Sequence, residues 1–423
     1  MSTSNHSIEE KFEFTGKART YSLVAIVIGV VGILFGLLYD HGAHLQRTFS
    51  NLLLMAYYFA CICMSGIFFC AIQYVAQAGW SAALIRIPQA FAKVLPIASV
   101  ILIVVAAAGM FTSHSHISDE THKVISEPNL YASWAKPGIT TPGNPNYDKE
   151  VAGKSGFLNK GTFFAMLVIL LGIYSLLGKV LVNASTNEDV RGGMFNYNKS
   201  FKYSVIFLAF FAFTFPLFVF GTVMSLESHW YSTMFGWYNL AAMHVTGLSM
   251  IALVIVYLRE QGYMSWINEN HMHDLGKLMF GFSVFWTYLW FGQFFLTWYA
   301  NIPEEAVYIY RRWEPEYKWW FWLNIVINFL APLLLLMSRD AKRMFPRMKF
   351  AALVIILGHW LDYYLQIMPG TVNKSRGFGI EEICIFVGFA GLFVFLMLNA
   401  LSKFKSLVPK NHPFLEESLH HHI

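Results

Sequence analysis

Ten separate stretches of this chain are apolar for about as long as a helix needs to cross a bilayer, roughly 20 residues for about 30 Å of hydrocarbon. They lie at approximately 20–38, 53–76, 91–112, 161–183, 203–225, 237–258, 276–300, 319–337, 348–367 and 381–402. Lipid offers the backbone no hydrogen-bond partners, so a spanning segment must satisfy its own polar groups, and runs of this length do so as α-helices. The sequence therefore predicts an all-α, polytopic membrane protein of ten spans. Composition agrees: 56% of the 423 residues are hydrophobic and 13% are charged, against about 25% charged in soluble domains.

The first 19 residues are polar, mixed in charge and without the small-residue cleavage site of a secretory signal. They read as a tail, as do residues 403–423, where "HPFLEESLHHHI" is expected to be disordered and its histidines count for little as a metal site. Ten spans put both tails on one side. That side collects 19 of the 30 Lys and Arg residues, most densely in "SRDAKRMFPRMK" between spans 8 and 9, and the other side 11. Positive charge marks the cytoplasmic face, so both termini are expected there. The net charge of +5 follows from this bias and gives no reason to expect nucleic acid.

The one sizeable extramembrane segment, 113–158, is rich in Pro, Gly and Asn, which argues against regular structure. It is either a surface for an external partner or a solvated connector. Spans 2–5 and 6–9 read as two four-helix bundles flanked by spans 1 and 10. Internal duplication is common in membrane folds, and here spans 5 and 9 both end in an acidic residue near aromatics, "MSLESHWYSTMFGWY" and "GHWLDYYLQIMPGT".

Redox ligands are scarce. Cys61, Cys63, Cys70 and Cys384 all lie inside spans, with no haem-attachment motif and no iron–sulfur spacing; they read as small hydrophobes. Of fifteen histidines only His244 and His359 lie clearly within a span, enough for one bis-histidine haem at most. The chain is expected to carry no electrons itself.

Ionisable residues inside a membrane are costly and are functional candidates by default. His359 and Asp362, three apart on span 9, share a helix face and lie roughly 6–12 Å below its outer end at 1.5 Å per residue. His244 on span 6 and Gln293 on span 7 fall at comparable depth, the latter about 11 Å from its end. Glu227 and His229 close span 5, and Glu304 and Glu305 close span 7. Two readings stand for this group. One is interhelical hydrogen bonding, worth about 0.6 kcal/mol per bond on average. The other is a proton relay or quinol-head-group site, with imidazole and carboxylate accepting hydroxyl protons between aromatic walls. From Phe280 to Ala300 eleven of twenty-one residues are aromatic. One helix face cannot hold them all, so most are expected to meet lipid or neighbouring helices.

Toward the cytoplasm, "NENHMHDLGK" offers His271, His273, Asp274 and Lys277. Without a distant fourth ligand this is weak evidence for a metal, and no metal site is expected. Asp274 either favours the positive end of span 7 or, with the two histidines, takes up protons. Trp80 and Arg86 read as interface anchors, and Pro88 as a helix start.

Four of these stretches together carry a resemblance: "HDLGKLMFGFSVFWTYLWFGQFFLTWYANIPEE", "FLAPLLLLMSRDAKR", "GHWLDYYLQIMPG" and "MSLESHWYSTMFGWY". They resemble the F-subunit family of alternative complex III, a bacterial quinol:cytochrome c oxidoreductase, within the NrfD-like (polysulfide reductase membrane subunit) superfamily. The resemblance covers spans 5 to 9 by motif and the rest by architecture. It implies a subunit of a respiratory chain in the bacterial inner membrane, surrounded by lipids and set beside a homologous NrfD-like C subunit. It further implies iron–sulfur clusters and c-type haems on partner subunits, and a terminal cytochrome oxidase as a further neighbour. For this chain it implies a part in assembly, a second quinone site or a proton path, with His359 and Asp362 best placed to serve it. Gly221 and Thr222 stand where relatives often carry Asp-Trp, so a path that used that Asp is either altered here or uses Glu227 instead. The other implied role is an NrfD-like quinol-oxidising anchor of a molybdenum or iron–sulfur oxidoreductase.

Overall fold

The computed structural model describes residues 10–39, 43–117, 124–372 and 377–421. The expected N-terminal tail is thus described from residue 10 only, and 118–123 of the long loop and His422 lie outside the described residues.

Among the described residues, ten helices are long and apolar enough to cross a membrane. They are α1 (Gly16–Tyr39), α2 (Ala43–Val75), α3 (Arg86–Phe111), then, after the short external helices α4 (Ala132–Ala135) and α5 (Lys149–Gly153), α6 (Lys160–Arg191), α7 (Met194–Thr222), α8 (Met234–Glu260) and α9 (Glu269–Ala300). The short α10 (Pro303–Arg312) precedes the eighth span, which is built from α11 (Pro315–Ile325), a π turn (Val326–Leu330) and α12 (Ala331–Leu336). After α13 (Arg339–Arg343), α14 (Phe345–Thr371) and α15 (Ile380–Ser402) complete the ten.

Two spanning helices, α6 and α9, start at an asparagine whose side chain caps them. Asn268 opens α9 by accepting from the backbone N–H of Asn270 and His271, and His271 answers on the Asn268 N–H. This reciprocal cap satisfies donors a helix start would leave open. At its far end, Asn301 turns left-handed at φ 47° and stops the helix. Glu304 and Glu305 therefore belong to α10 and do not close span 7.

The helices α2, α3, α6 and α7 form one four-helix bundle, and α8, α9, α11–α12 and α14 the second. Contacts of α2 with α8 and α14, and of α7 with α8, join the two, and most of α2, α8 and α14 is buried. Helices α1 and α15 pair with each other and lie against α2 and α3. Gly29 and Gly388 face each other so closely that a Cβ on either would stand 2.4 Å from the other's Cα.

The extramembrane pieces are more ordered than their composition predicts. Segment 113–158 contains an antiparallel hairpin of β1 (Ser113–Ile117) and β2 (Val124–Pro128), besides α4 and α5. It is tied to the α7–α8 connection by Tyr131 to the Thr222 carbonyl (2.9 Å) and Lys154 to the Ser228 carbonyl (2.8 Å). The C-terminal tail is folded as well. Helix α16 (Leu415–Leu419) buries Ser418, which donates to the Trp80 carbonyl (2.7 Å) and accepts from the Ala83 N–H (3.1 Å). Arg86 is no interface anchor: it is fully buried and bonded to Asp189. Its charge is met by the α6 carboxylate, which sequence distance conceals.

Candidate functional site

Asp362 sits inside α14, nine residues before its end, and is buried on all sides. Its oxygens accept from Tyr238 on α8, Trp286 Nε1 on α9 (3.2 Å), Asn324 Nδ2 on α11 (3.1 Å) and Gln366 Nε2 on α14 itself (3.0 Å). Four donors fill the roughly four lone-pair positions of a carboxylate. All four helices of the second bundle thus converge on one side chain.

One turn earlier lies His359, fully buried, its Nδ1 3.9 Å from Asp362 Oδ2, beyond hydrogen-bond range. Its ring meets Trp286 edge-on at 5.4 Å, and neither ring nitrogen has a hydrogen-bond partner. On the other flank, Asn328 Nδ2 donates to Asn324 Oδ1 (2.6 Å), across the π turn of the eighth span. Such turns occur frequently at functional sites. Gly358 makes room there: a Cβ on it would stand 2.3 Å from Asn328 Oδ1.

Toward the loop-bearing end the network continues through Arg312. Its guanidinium donates to the carbonyls of Gln366 (3.2 Å) and Tyr308 (2.6 Å), lies 3.2 Å over the Tyr308 ring, and reaches Glu227 Oε1 at 2.9 Å. Arg311 takes the other oxygen of Glu227 at 3.0 Å. Glu227 also lines a polar vestibule of about 570 Å³ at this end, together with Glu304, His229, Arg311 and the loop residues Glu127, Lys136 and Glu150. At its rim His229 pairs with Asp148 (2.7 Å). Burial alone would raise the Asp148 carboxyl, but the Val151 N–H, His229 and the Glu150 N–H outweigh it and hold that carboxyl below its usual value. Glu305 is half-buried and outside the vestibule lining.

Gln293 and Asp362 line one narrow cleft of about 50 Å³, with Tyr238, Trp290, Phe294, Phe321 and Asn324 around them. A cleft of that size admits a few waters.

His244 is not part of this group. Its Nδ1 lies 3.2 Å from Ser65 Oγ, and its ring is held edge-on between Phe68 and Phe282, at the α2–α8 contact. The rotation of α8 about its axis turns it to another neighbour. The Asp274 group is engaged with the C-terminal tail. Asp274 is held by Lys277 and by His421 Nε2 (2.7 Å), and His271 is occupied in the α9 cap. His273 Nδ1 stands 4.0 Å from Asp274. These residues fasten the C-terminal tail to the start of α9. Among the described residues no group of three or more His, Cys, Asp or Glu side chains could hold a metal ion.

Tyr238, Trp286, Asn324, Asn328, Gln366 and Arg312 escaped the sequence reading. A signal existed for three of them: Asn324 and Asn328 are the only amides in the eighth span, four apart, and Gln366 is four residues from Asp362, spacings that share a helix face.

The fold and the site together define a multi-pass helical membrane protein with a buried carboxylate network beneath a polar vestibule. No protein-family model matches the chain, and no curated protein matches it.

Proposed function

We propose that this chain is an integral subunit of a quinol:cytochrome c oxidoreductase of the alternative complex III kind, carrying no redox centre of its own, and that its Asp362 network passes protons to the outer face. On this reading both termini lie in the cytoplasm of a bacterial inner membrane and the vestibule opens to the periplasm. Iron–sulfur clusters and c-type haems sit on companion subunits there. One observation supports it above the rest: a buried carboxylate within a span, beside an imidazole with two free nitrogens, is linked through Gln366 and Arg312 to Glu227 in the vestibule wall. Keeping a carboxylate and a guanidinium at membrane depth is costly. Arg312 keeps its own protons, so its role is to hold Glu227 in place. Asp362 exchanges its proton with waters in the 50 Å³ cleft that it lines together with Arg312, Glu227 takes it up beyond Arg312, and His359 stands beside Asp362 outside that cleft.

The test is the native assembly with Asp362→Asn. Quinol oxidation should persist while protons released per electron fall. Full proton release in the variant, or purification of the chain without any haem or iron–sulfur partner, overturns the reading.

The second reading makes the cleft a quinol-head-group site of an NrfD-like anchor, which its walls of Trp290, Phe294 and Phe321 favour. A quinone ring needs more than 50 Å³, so α9 would have to move aside. A photoreactive quinone cross-linking at Gln293, with quinol oxidation itself lost in Asp362→Asn, would select it.

A further inference from the structure

A further buried carboxyl stands in the other bundle, at the end of the molecule that carries the tails. Glu188, in the last turn of α6, is fully buried, and neither of its carboxylate oxygens has a hydrogen-bond partner. Its neighbour Asp189 is well served. It receives Arg86 Nη2 at 2.5 Å and the Lys410 N–H at 2.9 Å. Arg86 Nη1 donates to Gln89 Oε1 (2.7 Å) and Ser185 Oγ (3.2 Å), while its Nε has no partner and reaches neither Glu188 oxygen. Two carboxyls thus share one guanidinium, and Asp189 holds it.

The other groups around Glu188 supply no further cation. Tyr74 and Tyr197 lie within electrostatic reach of it. Lys93 is turned onto the Phe404 ring at 3.4 Å. The ring of His412 packs 5.4 Å from Tyr197 and 5.8 Å from Tyr74, and burial pushes that imidazole down to about 4, so it is uncharged at neutral pH. An ionised Glu188 would leave one buried negative charge unmatched, which is strongly unfavourable.

We propose that Glu188 is a proton-binding site, held as the neutral acid, that exchanges its proton with water at the tail-bearing end of the molecule. A route for that water is built into α7. Asn196, Ser200 and Ser204 repeat every four residues and so share one helix face, over roughly 12 Å at 1.5 Å per residue. All three are buried, and the Asn196 amide nitrogen, both serine hydroxyls and the Tyr197 hydroxyl lack partners. Buried polar groups of this kind are served by water in a membrane interior. The C-terminal tail closes the end: Asn411 Nδ2 donates to the carbonyls of Glu188 (2.9 Å) and Asp189 (3.2 Å), and His412 covers the two tyrosines. The exchange is Glu188–COOH to carboxylate plus a proton on water. It does not depend on the quinol reading, because it concerns this chain alone.

Infrared difference spectroscopy on the purified full chain tests it. A protonated-carboxyl C=O band should be present near neutral pH, lost in Glu188→Gln and kept in Asp362→Asn. Asn411→Ala with His412→Ala should speed its hydrogen–deuterium shift. If Glu188→Gln does not fold, Ser200→Leu and Ser204→Leu in the otherwise native chain serve instead, and should slow that shift. Absence of the Glu188-dependent band, or its removal by added sodium at constant pH, overturns the proposal. An exchange rate untouched by both the tail and the serine variants overturns the route.

Discussion

Glu227 and Arg312 meet 2.9 Å apart where their side chains are only 5% and 3% exposed, so each is the other's chief electrostatic support. Removing one partner of a buried pair strands the other charge, at about 3–5 kcal/mol. Arg312→Leu and Glu227→Leu should each lower the thermal midpoint markedly, and the double variant should recover much of the loss. Arg311→Leu should cost far less, because its side chain is 42% exposed and screened by water. Thermal unfolding of the four variants in one detergent checks the order.

Asp362→Asn keeps the size of the side chain but turns one acceptor oxygen into a donor. Of the four groups that now donate to it, those facing the new NH₂ lose their acceptor. An unmet buried donor costs about 1–3 kcal/mol. The expected outcome is a folded but less stable protein, with Trp286 fluorescence shifted because its indole N–H contacts this carboxylate. An unchanged melting curve and spectrum would count against the assigned network.

Gly358→Ala adds a methyl group 2.3 Å from Asn328 Oδ1 and 2.5 Å from Ile327 Cγ2. Overpacking of this kind costs about 1–3 kcal/mol. Asn328→Ala in the same background should relieve the Asn328 part of the clash and leave the Ile327 part, so the double variant should be less destabilised than the sum of the singles. Non-additivity in a double-mutant cycle measures it.

The Asp148–His229 contact fastens the external segment, and its pH dependence has a definite sign. Asp148 is held below its usual carboxylate value, so its contribution is present above the unfolded value of about 3.9 and is lost as pH falls through the folded one. Hydrogen exchange in residues 149–153 should therefore stay protected, as judged from the Asp148 side, down to about pH 4. Below that it should rise. Asp148→Asn should remove this acid-dependent step.

Ser418 joins the C-terminal tail to the turn before α3 through two buried hydrogen bonds. Ser418→Ala leaves the Ala83 N–H without its acceptor, at about 1–3 kcal/mol. Limited proteolysis after residue 403 should become faster while the spans stay intact.

His359 with Asp362, and Glu227, could be picked from the sequence because charge and imidazole are conspicuous in an apolar setting. Their partners could not. Asn324 and Gln366 are ordinary amides, and Tyr238 and Trp286 are two aromatics among many. Arg312 lies outside the apolar windows, yet it folds back to a depth where only 3% of its side chain is exposed. The C-terminal tail shows the same limit, since its composition resembles disorder while Ser418, Asn411 and His421 each have a specific seat.

By itself the sequence determined that the chain crosses the bilayer ten times as helix, because backbone hydrogen bonds in lipid leave no other solution for apolar runs of that length. An expected depth for each polar residue followed from the rise per residue along its helix. Only the tertiary structure decided which of them meet. Tyr238 and Asp362 are 124 residues apart in the chain. Their meeting depends on how each helix is rotated about its axis, and in a membrane that rotation is set by side-chain packing against neighbouring helices. His244, turned toward Ser65, and Gln293, turned toward Asp362, lie at similar expected depth and differ in that rotation.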